Sequence, residues 1–319
     1  MSEPLQILFW ILIFPGFLFT ALLGLVISWL VRKVSALVQW RVGPPLFSEG
    51  RLFQSLYDVM KLMGKEILIP SQSQKPVFIG APLVGFAGVL LLATMLWVIN
   101  FTEKAFVGDI IVALYLMVLP SLALIMGSSA SASPHASIGS SREMKLVMAY
   151  ELPLVMAVIV VIIKSGGQLN LANIAQQAPV LSISGMLAFL VSLLCIHAKL
   201  GFVPFDMAEA ETELASGVLI EYSGSLLAVW KLMQAMMLVA LPMFLVTVFM
   251  GGFGASGMPL VWGILKYVLI VVLVILIKNT NPRVRIDHAM KFFWVYCGLA
   301  MVIAVSLAII GNNSGIGWL

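Results

Sequence analysis

Cysteine and histidine are almost missing from this sequence: two Cys and three His in 319 residues. Cys195 and Cys297 fall inside apolar stretches and form no CxxC pair, which argues against a disulfide framework or a thiol redox centre. They read as small buried residues. His135, His197 and His288 offer little for haem or zinc ligation, so no metal or cofactor is expected on this chain. Charge is scarce as well. Only 10% of residues are Asp, Glu, Lys or Arg, against roughly 25% in a soluble domain. No GxGxxG lies between a strand and a helix, no GxxxxGK[ST] occurs, and no Ser-His-Asp arrangement can be argued. The chain has no catalytic centre of its own in view.

What it does have is apolar length. Hydrophobic residues make up 61% of the chain, and the mean hydropathy is +1.09. A membrane helix needs about 20 apolar residues. Eight such segments are expected, at 5–30, 77–100, 107–127, 146–164, 181–200, 226–250, 259–278 and 290–311. They are too long for membrane β-strands and do not alternate. The expectation is an all-α integral membrane protein, one membrane domain over 1–319. The first segment lacks a basic flank and a cleavage site, so it reads as a retained helix. No internal repeat is evident, which weighs against inverted-repeat transporters.

The basic residues are unevenly placed. Arg32, Lys33, Arg41, Arg51, Lys61, Lys65 and Lys75 fall in 31–76, Arg142 and Lys145 in 128–145, and Arg283 and Arg285 in 279–289. The alternate loops hold little beyond Lys104 and Lys164. The positive-inside rule therefore assigns loops 31–76, 128–145, 200–225 and 279–289 to the cytoplasm of a cell membrane, with both termini outside. Their place beside spans explains these basic loops without nucleic acid. Residues 52–69 are expected to form an amphipathic surface helix, with Phe53, Leu56, Val59, Met60, Met63 and Ile67 on its apolar side. Residues 128–141 read as a small-residue loop, and Gly251–Gly257 as a simple turn region.

The most informative stretch is 204–223, PFDMAEAETELASGVLIEYS. Asp206, Glu209, Glu211, Glu213 and Glu221 occupy sixteen residues of it, with no Lys or Arg among them. Carboxylates beside a bilayer are costly unless hydrated, paired or protonated, and ionisable residues there are functional candidates. If 206–213 is helical, Asp206, Glu209 and Glu213 share one face and Glu211 points elsewhere. Mutual repulsion would then keep one of them protonated near neutral pH, as a proton relay requires; a solvated surface helix is the alternative. Glu143 and Glu151 form a second set, Glu143 beside Arg142 and Lys145, and Glu151 deeper, before Pro153. Lys231 and Lys266 lie inside spans and are candidates to pair with Glu151 or Glu221, or to line a hydrated path. Asp109 reads as a helix N-terminal carboxylate. His197 and Cys195 read as packing residues.

Three motif groups together resemble the eight-helix membrane component of respiratory complex I (the NADH dehydrogenase subunit one family), especially the branch in membrane-bound [NiFe] hydrogenases and formate hydrogenlyases. The first is Gln39-x-Arg41-x-Gly43-Pro44 with Gln54, Asp58, Lys61-Leu62 and Lys65-Glu66. The second is Gly139-Ser140-Ser141-Arg142-Glu143 with Tyr150-Glu151. The third is Pro204-Phe205-Asp206, Glu209-Ala210-Glu211, Glu213-Leu214 and Glu221-Tyr222-Ser223-Gly224. The resemblance implies a proton or ion pathway through Glu143, Glu151, Asp206, Glu209, Glu213 and Glu221, to which Lys231 is added from its place in a span. It implies a docking surface for a peripheral arm at Arg41, Asp58, Lys61, Lys65, Glu66 and Arg142. Partners implied are hydrophilic [NiFe]-hydrogenase-like large and small subunits, an iron-sulfur subunit and antiporter-like membrane subunits; the [NiFe] centre and iron-sulfur clusters would sit on those partners.

The sequence departs from quinone-using members, which usually carry Glu-x-Asn-Arg just before Pro-Phe-Asp. Here the corresponding positions are Lys199, Gly201 and Phe202, and Val31 replaces a Glu at the end of the first helix. This favours a ferredoxin-linked, hydrogenase-type complex with protons or a sulfur compound as acceptor. A quinone-site subunit and a stand-alone ion transporter are the alternative readings.

Overall fold

A computed structural model describes residues 9–43, 54–254, 256–315 and 317–318, without the side chains of Glu211 and Thr212. All of its regular structure is helical. In chain order the elements are α1 (Phe17–Val38), α2 (Gln54–Met63), α3 (Lys75–Thr102), α4 (Asp109–Ala130), α5 (Pro134–Lys164), α6 (Leu171–Ile174), α7 (Ile183–Lys199), α8 (Glu211–Leu214), α9 (Gly224–Phe249), α10 (Met258–Thr280) and α11 (Ile286–Ser314). A short helical stretch from Phe9 precedes α1 within the first span, and α11 carries a π-helical turn over Phe292–Cys297. Among the described residues, seven helices are long and apolar enough to cross a membrane. The shorter apolar α7 is the eighth expected segment. The chain is an integral membrane protein.

One helix organises the rest. In α9, 94% of the most apolar window is buried inside the protein, against 28–56% for the other spans. A helix that is apolar all round belongs in a core or a bilayer, and this one is the core. Helices in lipid associate through close packing, for which small residues are needed. Gly24 of α1 faces the backbone of Ala235 in α9; a Cβ at Gly24 would lie 2.5 Å from the Ala235 carbonyl oxygen. Phe78 and Tyr222 stack at 4.2 Å on the other side of α9, and Tyr222 also packs edge-on against Trp230 of α9 at 5.6 Å.

The expected basic loops gather at one end of the bundle. Arg283 meets Asp206 at 2.8 Å, and Arg142 meets Glu213 at 2.6 Å. The Leu68 amide donates to Ser223 Oγ, and the Val284 amide to the Pro204 carbonyl. At the opposite end, bonds between neutral groups predominate, with one carboxylate at Asp109 and one ammonium at Lys266. Asn100 donates to Thr247 Oγ1 at 2.9 Å and accepts from the Phe253 amide at 2.8 Å.

Three local expectations are corrected. The amphipathic helix stops at Met63 instead of Ile69, with Leu52 and Phe53 outside the described residues. Gly64 releases the chain, which then lays the Lys65 and Glu66 carbonyls against Gly224; a Cβ there would sit 2.7 and 2.5 Å from them. Ser55 and Val59 are buried, whereas Met60, Met63 and Ile67 are exposed. The 128–141 segment is mostly helix, only Ser131, Ala132 and Ser133 joining α4 to α5. Its serines remain helical because their hydroxyls bond locally: Ser128 to the Leu124 carbonyl, Ser129 to that of Ile125, and Ser129 to Ser140 at 2.8 Å. The Gly251–Gly257 region folds inward in part, burying Phe253 against Trp97.

Gly24→Val should lower stability by about 1–3 kcal/mol through overpacking, read as a lower midpoint in a thermal scan of the solubilised protein. An unchanged midpoint would show that α1 and α9 do not approach this closely.

Candidate functional site

Two adjoining spaces at the charged end of the bundle share part of their walls. The larger is a cavity of about 660 Å³ between α1, α2, the 200–206 segment and α9. Arg32, Asp58, Asp206, Glu209, Lys231, Lys278 and Arg283 supply its charges, and Leu25, Val59 and Phe202 part of its apolar wall. The smaller chamber, about 50 Å³, is lined by Ser121, Glu143, Lys199, Asp206 and Glu209 among others. A volume near 50 Å³ accommodates roughly three or four waters. Leu200, Gly201, Asp206, Glu209 and Gln234 line both spaces. Asp206 and Glu209 therefore stand in the wall between the large cavity and the chamber that Glu143 lines.

The chamber wall includes one partner of a buried ion pair. Lys199 Nζ lies 2.5 Å from Glu151 Oε1, with no side-chain exposure for the lysine and 21% for the glutamate. The same ammonium donates to the Met117 carbonyl at 3.1 Å and lies 5.2 Å from the centre of the Tyr150 ring. Tyr150 is held by Ser121 at 3.1 Å. Glu143 and Glu151 sit on α5 eight residues apart, about 12 Å along the axis.

The acidic segment is not one helix. Residues 202–210 are turns and irregular backbone, and only Glu211–Leu214 makes a helical turn. Asp206, Glu209 and Glu213 consequently do not share a helix face. Each takes its own partner: Asp206 the Arg283 guanidinium, Glu209 the Gln234 amide at 2.6 Å, and Glu213 the Arg142 guanidinium. Arg142 thus serves Glu213 and not its neighbour Glu143, because α5 turns the two side chains to different sides. Beside Arg142, with Arg283 and Arg285 further off, the Glu213 carboxyl is held below its ordinary value of 4.5.

Lys231 and Lys266 pair with neither Glu151 nor Glu221. Lys231 is exposed to the large cavity and donates to Gln234 one turn on. Lys266 donates to the Met250 carbonyl near the other end. Glu221 is half-buried and lines neither space. The docking candidates Asp58, Lys61, Lys65 and Glu66 are exposed at the charged end, Asp58 facing Arg32 at 3.4 Å. Arg41 is exposed there and donates to Gln39. Pro44 and Arg51 lie outside the described residues. Asp109 begins α4 as expected, but is fully buried and accepts the Leu171 amide at 2.7 Å. Cys195 and Cys297 are buried free thiols, and His197 bonds the Val203 carbonyl at 2.7 Å.

Residue-by-residue reading missed Lys199 and Gln234 as members of the site. Lys199 closes an apolar span, a position where snorkelling is the ordinary assumption. Its burial depends on α4 and α5, which cover it.

The NADH dehydrogenase family matches residues 10–309. The chain belongs to this family. The H-type subunit of the NADH-quinone oxidoreductase of Dehalococcoides mccartyi is 32% identical over 91% of this chain and 82% of its own length. That of Anoxybacillus flavithermus is 37% identical over 82% of this chain and 81% of its own. Among solved structures, a chain of an archaeal membrane-bound sulfane sulfur reductase has the same fold, with a TM-score of 0.81, 22% identity, and coverage of 91% of this chain and 96% of that one. This NADH dehydrogenase family member is therefore a membrane subunit of a complex-I-like oxidoreductase, with its charged cavity and chamber at one membrane end.

Because Glu213 titrates below its ordinary range, the Arg142 latch holds above pH 4.5 and is lost as pH falls through the depressed value. Arg142→Gln should raise the Glu213 titration toward its ordinary value, measured by carbon-13 glutamate NMR titration in nanodiscs. An unmoved titration would mean that Arg142 does not hold this carboxylate in solution.

Proposed function

We propose that this chain is the non-catalytic coupling subunit of a ferredoxin-linked, energy-converting complex of the membrane-bound hydrogenase type or its sulfur-reducing relatives. The charged end faces the cytoplasm and docks a peripheral arm carrying a [NiFe] centre or a modified counterpart and iron-sulfur clusters, with Arg41, Asp58, Lys61, Lys65 and Glu66 on the docking surface. Electron transfer in that arm changes charge or hydration at Asp206 and Glu209. The change passes through the chamber to Glu143 and the Lys199–Glu151 pair, and a proton or sodium ion moves in response.

The observation that carries this reading is a charged cavity that shares Asp206 and Glu209 with an acidic chamber, whose wall includes the lysine of a buried ion pair. Burying these groups in a membrane helix bundle is expensive, and the usual return is ion movement. Lys199 stands where quinone-using members carry a carboxylate, which supports an acceptor other than quinone. A second reading has its own support. The cavity of about 660 Å³ is within the usual size of small-molecule sites, and the relatives compared by sequence are named for quinone.

The purified complex should evolve hydrogen or reduce a sulfur compound with reduced ferredoxin, and its co-purifying subunits should include a [NiFe]-type large subunit. Quinone reduction in place of both would establish the second reading. In liposomes, Glu151→Gln should lower ion uptake ~100-fold with the complex still assembled. Wild-type uptake in that variant would remove Glu151 from the pathway.

A further inference from the structure

Lys199 combines three features found together nowhere else among the described residues. Its ammonium is fully buried, it forms an ion pair, and it lines a chamber that holds further carboxylates. An ammonium has three donors. One goes to Glu151 and one to the Met117 carbonyl. On the chamber side stands Glu143, which joins none of the ion pairs found among the described residues and is within electrostatic range of Lys199. One cation thus faces two carboxylates.

We infer that Lys199 is the mobile charge of this site, its ammonium exchanging between Glu151 and Glu143 while a proton occupies whichever carboxylate the ammonium has left. The inference rests on the coupling role proposed above and supplies its elementary step. A carboxylate without a partner in an apolar surround takes a proton in place of its charge. The three groups then hold one ammonium, one carboxylate and one carboxylic acid, with no net charge. When the ammonium leaves Glu151 for Glu143, the proton that Glu143 gives up passes through chamber water to Glu151, so that the same proton moves from one carboxyl to the other. One proton advances, no covalent bond other than O–H changes, and no electron is needed. The four-carbon stem of lysine permits such a swing, and an arginine would do so less freely.

The other titratable groups facing this triad are already engaged. Asp206 is held by Arg283, Glu209 by Gln234, and the Tyr150 hydroxyl by Ser121. Cys195, one turn before Lys199, is a buried thiol. His197 bonds the Val203 carbonyl. The exchange therefore falls to Glu143 and Glu151.

The test uses the whole complex in liposomes, with ion uptake per electron and the infrared carboxylic C=O bands as paired readouts. Wild type should show one protonated carboxyl from this pair. Lys199→Met should show a second, which disappears in Lys199→Met with Glu151→Gln, and should lose ion uptake ~100-fold. Lys199→Arg should keep the wild-type band count and recover part of the uptake. If Lys199→Met does not assemble, Glu143→Gln, which retains the Lys199–Glu151 pair, should lose the protonated band and the uptake together. Wild-type uptake and an unchanged infrared spectrum in Lys199→Met, or in Glu143→Gln, would overturn the exchange alone. A wild-type complex that moves no ions would overturn the coupling role on which it rests.

Discussion

The buried contact between Lys199 and Glu151 is the constraint around which the charged end is arranged. A cation and an anion removed from water tolerate burial only if each finds the other and their remaining hydrogen-bonding capacity is met. Lys199 meets this demand with three elements: its own α7, the Met117 carbonyl of α4, and Tyr150 and Glu151 of α5. These helices are thereby held in one relative position. The pair is a weak source of net stability, because desolvation offsets most of the attraction. Removal of one partner from such a pair costs about 3–5 kcal/mol, since the other is left buried and uncompensated. Deleting either partner is therefore costly although the pair contributes little to the global free energy, and the lysine can leave Glu151 only for another carboxylate.

The acidic segment depends on the same end. Irregular backbone at membrane depth persists only where protein or a hydrated cavity receives it. Residues 205–209 satisfy that condition by lining the chamber, and the segment is tied by Arg283 at Asp206 and by Arg142 at Glu213. Ala215 and Ser216 both have left-handed backbone, with φ of 50° and 80°. Each costs on the order of 1 kcal/mol or more. That cost is tolerated at the turn that returns the chain to α9, where Val218 packs against α5 at Gly139.

The two ends of the bundle differ in kind. Among the described residues, one holds the charged cavity, the chamber and four ion pairs. The other is held largely by Asn100, Thr247 and backbone groups, with Asp109 fixed by the Leu171 amide. The proposed coupling function belongs to the charged end, where Lys199 is buried against Glu151.

The sequence by itself determined the class and the layout. Apolar runs near 20 residues specify spans, and basic residues between them mark one set of loops, because hydropathy and charge are properties of contiguous chain. The eight segments and the shared end of the basic loops were legible for that reason. Helical periodicity was a poorer guide at 52–69 and 206–213: the first was cut short by Gly64, and the second was unwound by contacts with other segments. Only the tertiary structure decided which cation meets which acid. Arg142 and Glu213 are 71 residues apart, and Lys199 and Glu151 are 48 apart. Local spacing favoured Arg142 with Glu143, and a mid-span lysine with Glu151. Ion pairing is settled by how the helices pack and which sides they turn inward, and no short-range pattern encodes that.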